Sequence, residues 1–282
     1  MRADRTTRRV AHPVMIDPTR ARVVMSTADP RLALARLAPG RVTTSSLPYL
    51  ASPAVSVGRR YVLLLVVLVV GNLTGNLWLP TPLYVPFNLA MAGGLILMIR
   101  GNGAGAAEVG LERSARRRGL LWGVSLGAAA VVVLIAASLV PGLDDLFADD
   151  RAAGIGMAGL LYQTLVRIPL GTAVAEEVAF RGVLLGYGTR IWSWRTSAIA
   201  SSLLFGLWHV VPAVSALGGN AATDDVGGVG QVMLVAGAVG ATAVAGALLA
   251  YVRRLSGGLV APIILHAAIN STAFALAAAV VN

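Results

Sequence analysis

Seven stretches of this chain are apolar for long enough to cross a lipid bilayer as helices. They run over about 61–79, 83–99, 119–140, 153–187, 196–217, 231–252 and 256–281. Charged residues make up 13% of the 282, against about 25% in soluble domains, which sets aside a water-soluble enzyme. The expected fold is all-α: a polytopic transmembrane helical bundle of about seven spans over residues 59–282. The fourth run is too long for one perpendicular crossing. It contains Pro169 and Gly171, so a kink or break is expected there.

Loop charge tests the span count independently, because arginine-rich connections stay in the cytoplasm. Arg100, Arg113, Arg116, Arg117 and Arg118 lie between the second and third runs, Arg190 and Arg195 between the fourth and fifth, and Arg253 and Arg254 between the sixth and seventh. The alternate connections carry no arginine or are acidic, with Asp144, Asp145, Asp149 and Asp150 in one and Asp224 and Asp225 in another. The alternation predicts a plasma-membrane protein with its N-terminus in the cytoplasm and its C-terminus outside. Arg151 sits at the outer boundary, where it can snorkel. Arg167, inside the fourth run, is left without a role.

The net charge of +10 is concentrated before the first span, where residues 1–60 hold eleven Arg against three Asp. Residues 1–58 are rich in Arg, Pro, Thr and Ser and read as a disordered basic cytoplasmic tail. Such a tail orients the protein or touches anionic lipid. Without interleaved aromatics it does not read as a nucleic-acid binder. Cysteine is absent, so disulfides, thiolate metal sites and thiol nucleophiles are excluded. All positive side chains are arginine, a bias that fits a GC-rich, bacterial genome. Gly71 with Gly75, and Gly240 with Gly246, read as helix-packing surfaces ahead of a dimer interface.

Of thirteen acidic residues only Glu176 and Glu177 lie inside a span, and of three histidines His209 and His266 do so. Ionisable groups in hydrocarbon cost several kcal/mol unless paired or hydrated, so a functional site is the default reading. Their depths match. Glu176 lies 14 residues from Arg190, His209 14 from Arg195 and His266 12 from Arg254, or roughly 21, 21 and 18 Å at the helical rise. Glu177 and Arg181 are spaced for an i,i+4 ion pair, which leaves Glu176, about 100° around the helix, free to act. His266 and Asn270 share a face, and Phe205 can wall His209 at the same spacing. Pro212 cannot donate to the Trp208 carbonyl, which loosens the backbone beside His209. A carboxylate so placed can serve as a general base, and two imidazoles can hold a metal or stabilise an oxyanion.

Several hydrolytic sites do not fit. Neither membrane histidine opens an H-E-x-x-H motif, and no aspartate lies within a span. Gly123-Val124-Ser125-Leu126-Gly127 has the G-x-S-x-G form, but on an apolar helix and not at a strand-to-helix elbow. Ser125 therefore reads as a packing residue. The run Glu176-Glu177-Val178-Ala179-Phe180-Arg181-Gly182 resembles the E-E-x-x-F-R-G motif of the CPBP intramembrane proteases. That family includes the type II CAAX prenyl endopeptidases and bacterial bacteriocin-processing or immunity proteins. Phe205 to His209 is similar to its F-x-x-x-H motif, and His266 to Asn270 to its H-x-x-x-N motif. The three occur in order on separate spans, within a core at about 120–281.

The resemblance implies a helical membrane domain, commonly of eight spans, with a catalytic cavity open to the cytoplasm. It implies Glu176 as the group activating water, supported by Glu177 and Arg181. His209 and His266 would bind a metal or the activated water, and Asn270 would complete the site. The family has been described both as zinc-dependent and as metal-free. The expectation here is a Zn2+ held by His209, His266 and Glu176, with a metal-free glutamate mechanism as the alternative. The substrate would be a membrane-associated peptide or protein, CAAX-like or of bacteriocin type. Two other readings compete: a proton-coupled membrane transporter, and a non-catalytic immunity or scaffold protein.

Overall fold

A computed structural model describes residues 53–142, 147, 149–217 and 227–282. The basic tail up to residue 52 and the acidic residues Asp144, Asp145, Asp224 and Asp225 lie outside the described residues. Among those described there is no strand. The helices are α1 (Pro53–Leu73), α2 (Tyr84–Arg100), α3 (Arg116–Ser138), α4 (Met157–Tyr162), α5 (Leu185–Gly188), α6 (Trp194–Trp208), α7 (Val210–Leu217), α8 (Gly228–Ser256) and α9 (Val260–Val281). Six helical stretches are long and apolar enough to cross a membrane: Val57–Trp78, Thr81–Arg100, Arg113–Ser138, Trp194–Leu217, Gly228–Ser256 and Val260–Val281. The protein is a multi-pass membrane protein.

The fourth apolar run forms the remaining long segment and differs from the others. It is helical from Met157 to Gly188 without a break, π-helical over Gln163–Val174 and Glu177–Leu184. Of the kink or break expected at Pro169, the break does not occur, and the helix widens there. Proline cannot donate a backbone hydrogen bond, and its ring collides with the carbonyl four residues earlier. Turns of the i→i+5 type relieve both demands while the chain continues. Every residue from Ala175 to Gly188 is buried, whereas α1, α3 and α8 expose large apolar side chains such as Val66, Val132 and Leu248. The half of this segment that carries the charges is thus enclosed by protein, and the surrounding helices present the apolar surface that lipid requires.

Small residues let the helices around the segment approach one another. Gly119, Gly123 and Gly127 form one stripe of α3, packed on Val260, Ala261, Ile264 and Ala268 of α9. A Cβ at Gly123 would lie 3.0 Å from the Ile264 Cβ. The G-x-S-x-G sequence is therefore a helix-packing seam. Ser125 itself is exposed on the other side of α3. Gly71 packs against Met91 of α2, while no atom approaches the Gly240 position within 4 Å. Gly246 sits in the interior, against Arg181 and Phe205.

Hydrogen bonds gather the arginine-bearing connections at one end of the bundle. Arg190 holds the Glu108 carboxylate through Nε at 2.6 Å and Nη2 at 2.8 Å. Arg253 donates to the Glu108 carbonyl, the Leu259 amide to the Gly110 carbonyl, and Arg254 stacks on Trp194. At the other end Asn282 accepts from the Gly154 amide and donates to the Ala152 carbonyl. There Arg151 binds Asp149 and holds its carboxyl below the usual carboxylate range.

Two predictions follow from this packing. Gly123→Leu should force α3 off α9 and cost about 1–3 kcal/mol, read as a lowered melting temperature in detergent; unchanged melting would remove the seam from the account. The chain has no cysteine of its own, so single cysteines report topology cleanly. An impermeant thiol reagent applied to intact cells should label Thr81→Cys and spare Ser114→Cys, and the opposite pattern would invert the bundle.

Candidate active site

The buried half of the 157–188 segment brings two adjacent carboxylates into the protein interior, and their surroundings differ. Glu177 is fully buried. Its Oε1 accepts from Arg181 Nη1 at 2.9 Å and from His266 Nδ1 at 2.9 Å. Arg181, itself 1% exposed, stacks 4.0 Å from the centre of the Phe205 ring. Gly246 opposite leaves room for the guanidinium, since a Cβ there would lie 3.1 Å from Arg181 Nη2. The i,i+4 pairing expected for Glu177 and Arg181 forms, and His266 joins it from α9.

Glu176 is engaged at one oxygen only. Oε1 accepts from the Trp208 indole Nε1 at 3.1 Å. Oε2 is buried with no hydrogen-bond partner and lies 3.9 Å from His266 Nε2, beyond hydrogen-bonding range. A buried carboxylate oxygen without a donor is costly, and Oε2 of Glu177 is in the same state.

The histidines are fixed differently. A carbonyl can only accept, so the 2.8 Å contact of His209 Nδ1 with the Phe205 carbonyl puts a proton on Nδ1. His266 donates from Nδ1 to Glu177, and its Nε2 accepts from Asn270 Nδ2 at 3.0 Å. Phe205 stands between the two imidazoles, with ring centres 4.7 Å from His209 and 6.0 Å from His266.

The backbone at His209 opens as its sequence dictates. Pro212 gives nothing to the Trp208 carbonyl, α6 ends at Trp208, and the chain resumes as α7 at Val210. Asn72 of α1 donates to the freed Trp208 carbonyl at 3.0 Å. The sequence did not single out Asn72 or the Trp208 indole, and Gly246 stood only as a helix-packing residue. An asparagine inside a span and an indole beside a motif histidine are polar groups that need partners, which is the signal they carried. Beside Trp208 lies an apolar cavity of about 270 Å³, lined by Leu65, Leu68, Asn72, Phe180 and Leu184 among others.

The six residues singled out from the sequence thus form one cluster, His209 joining it through the Phe205 ring. The zinc arrangement expected of His209, His266 and Glu176 does not form. Among the described residues no three His, Asp or Glu side chains converge as a metal site. His266 Nε2, the nitrogen that would face an ion, is taken by Asn270. As placed, these side chains do not fit a zinc ion.

Fold and site together define a helical membrane protein with a dehydrated carboxylate–imidazole centre. Residues 156–272 match the family model of the type II CAAX prenyl endopeptidases, Rce1-like, a family of intramembrane proteases. This is the likeness that the three motifs carry, and the matched stretch contains Glu176, Glu177, Arg181, His209, His266 and Asn270. No curated protein matches the chain, and no solved structure does.

Arg181→Met should leave the Glu177 carboxylate buried with one donor fewer and destabilise the protein by about 3–5 kcal/mol. Adding Glu177→Gln should recover part of that loss. Thermal unfolding of the two variants in one detergent checks this, and a double variant no more stable than the single one would contradict it.

Proposed function

We propose that this protein is an intramembrane endopeptidase that hydrolyses a peptide bond of a membrane-associated peptide or protein, with Glu176 activating the water. The observation that carries the proposal is the free, buried Oε2 of Glu176, whose other oxygen is held by Trp208. Water bound at Oε2 gives up a proton to the carboxylate, and its oxygen bonds to the scissile carbonyl carbon. The proton then passes from Glu176 to the amide nitrogen as the C–N bond breaks. Glu177 and Arg181 position His266, whose imidazole stands beside Oε2. His209, with Nε2 unprotonated, accepts a hydrogen bond from the water or from the tetrahedral intermediate's hydroxyl. Asn270 completes the polar wall through its other amide hydrogen.

No step passes through a metal, because the donors as placed do not converge on one. The family match supports peptide hydrolysis over proton-coupled transport. Two buried carboxylates, each with one oxygen lacking a hydrogen-bond partner, beside two imidazoles support catalysis over a structural role. The apolar cavity beside Trp208 suits an apolar part of a membrane-associated substrate.

The test is cleavage of membrane-anchored reporter peptides by the purified protein in liposomes. Glu176→Gln should lower the rate by roughly 10²–10⁴-fold, the range for a lost general base, while Ser125→Ala stays at the wild-type rate. A chelator should leave the wild-type rate intact. Turnover that survives Glu176→Gln would overturn the assignment, and activity lost to chelator and restored by zinc would overturn the metal-free mechanism.

A further inference from the structure

Asn72 stands in α1, away from the three motifs, and the chemistry above does not use it. It lies 12 residues from Arg60, or roughly 18 Å at the helical rise. That is the layer of Glu176, His209 and His266. An asparagine inside a helix commonly satisfies itself on its own backbone. Asn76 and Asn88 do so, each donating to the carbonyl four residues earlier at 2.9 Å. Asn72, 7% exposed, gives its Nδ2 instead to the Trp208 carbonyl, 136 residues away in the chain. Proline frees that carbonyl, because in a continuous helix its partner would be the amide hydrogen that Pro212 lacks.

The same Trp208 carries the indole that holds Glu176. Its Nε1 donates to Glu176 Oε1 at 3.1 Å. Its ring meets Phe180, one turn beyond Glu176, edge to face with centres 5.4 Å apart. Trp208 is therefore tied at its backbone to α1 and at its side chain to the segment of Glu176. The backbone tie falls on the peptide that joins Trp208 to His209, where α6 stops and before α7 begins. Without Asn72 that peptide loses its anchor at a point the helix no longer holds, and the indole loses its fixed distance from Oε1. Restraint of Oε1 is what keeps Oε2 beside His266 Nε2, 3.9 Å away. Asn72 and Trp208 also share a wall of the apolar cavity, so leucine at 72 keeps the bulk and apolar character of that wall and removes only the donor.

We propose that Asn72 is a positioning residue for hydrolysis, acting through Trp208 to hold Glu176 in its reactive orientation. The inference rests on Glu176 as the hydrolytic group. It adds α1, which carries none of the three motifs, to the working parts of the site.

The experiment measures kcat and KM for membrane-anchored reporter peptides in liposomes, using full-length wild type, Asn72→Leu, Trp208→Phe and the double variant. Asn72→Leu should lower kcat by roughly 10- to 100-fold, the range for a displaced catalytic group. KM should stay near the wild-type value, the pattern of an interaction felt in the transition state alone. The double variant should be no slower than Trp208→Phe, because the path from Asn72 is already cut. A loss from Asn72→Leu that is equally large in the Trp208→Phe background would overturn the proposal, since Asn72 would then act through another part. So would failure of both Asn72→Leu and Asn72→Ala to fold, which would make Asn72 a structural contact. A second measurement needs no turnover. In protein carrying 15N-labelled tryptophan, the Trp208 indole signal is the one absent from Trp208→Phe. It should move in Asn72→Leu while the other indole signals stay, and an unmoved Trp208 signal would overturn the proposal. The two claims fail separately. Glu176-dependent turnover with a wild-type kcat in Asn72→Leu removes the role of Asn72 alone. Turnover that survives Glu176→Gln removes the catalytic reading, and the proposal with it, whatever the indole signal does.

Discussion

The buried contact of Glu177 with Arg181 and His266 holds the rest of the site in place. Charge in a dehydrated interior is tolerated only when it is paired and hydrogen-bonded. Here one carboxylate oxygen takes a donor from its own helix and another from α9. That arrangement ties the helix of Glu176 to the helix of His266 and Asn270, and it fixes the tautomer of His266. Phe205 then packs against Arg181 and both imidazoles, which sets α6 and therefore Trp208. Each link depends on the one before it. With Oε1 of Glu177 taken by Arg181 and His266, Glu176 is the carboxylate proposed to meet water and substrate.

Close approach of helices makes such a centre feasible. The 157–188 segment is buried all round over its charged half, and that requires neighbours without bulk. The glycine stripe of α3 on α9 and Gly246 of α8 beside Arg181 supply the space. The π-helical turns serve the same end, carrying the chain past Pro169 and changing which residues share a side. Irregular backbone is accepted at membrane depth only where protein surrounds it, and the burial of this segment meets that condition.

Much of this was legible in the sequence because the membrane makes polarity informative. A charge or imidazole inside an apolar run stands out, and i,i+4 spacing was enough to pair Glu177 with Arg181 and His266 with Asn270. The loosened backbone beside His209 was expected from Pro212. What escaped were contacts between distant parts of the chain. Nothing local in α1 says that Asn72 will cap the Trp208 carbonyl, and nothing in the motif says that the Trp208 indole will hold Glu176. At Pro169 the chain does not break, for a physical reason: proline forbids one hydrogen-bond pattern, and the helix continues with a wider one. The zinc expectation came from the residue types and the family resemblance, and neither could show that Asn270 and Glu177 would take both nitrogens of His266.

The division of labour between two adjacent glutamates is the central claim, and it separates stability from turnover. The most direct measurement compares Glu176→Gln with Glu177→Gln in one membrane preparation, recording both melting temperature and peptide cleavage. Glu176→Gln should lower cleavage by roughly 10²–10⁴-fold while melting close to the wild type. Glu177→Gln should lower the melting temperature clearly, with activity falling as the site loosens. A stable Glu177→Gln protein that is inactive, beside a Glu176→Gln protein that still cleaves, would reverse the two roles and contradict the account.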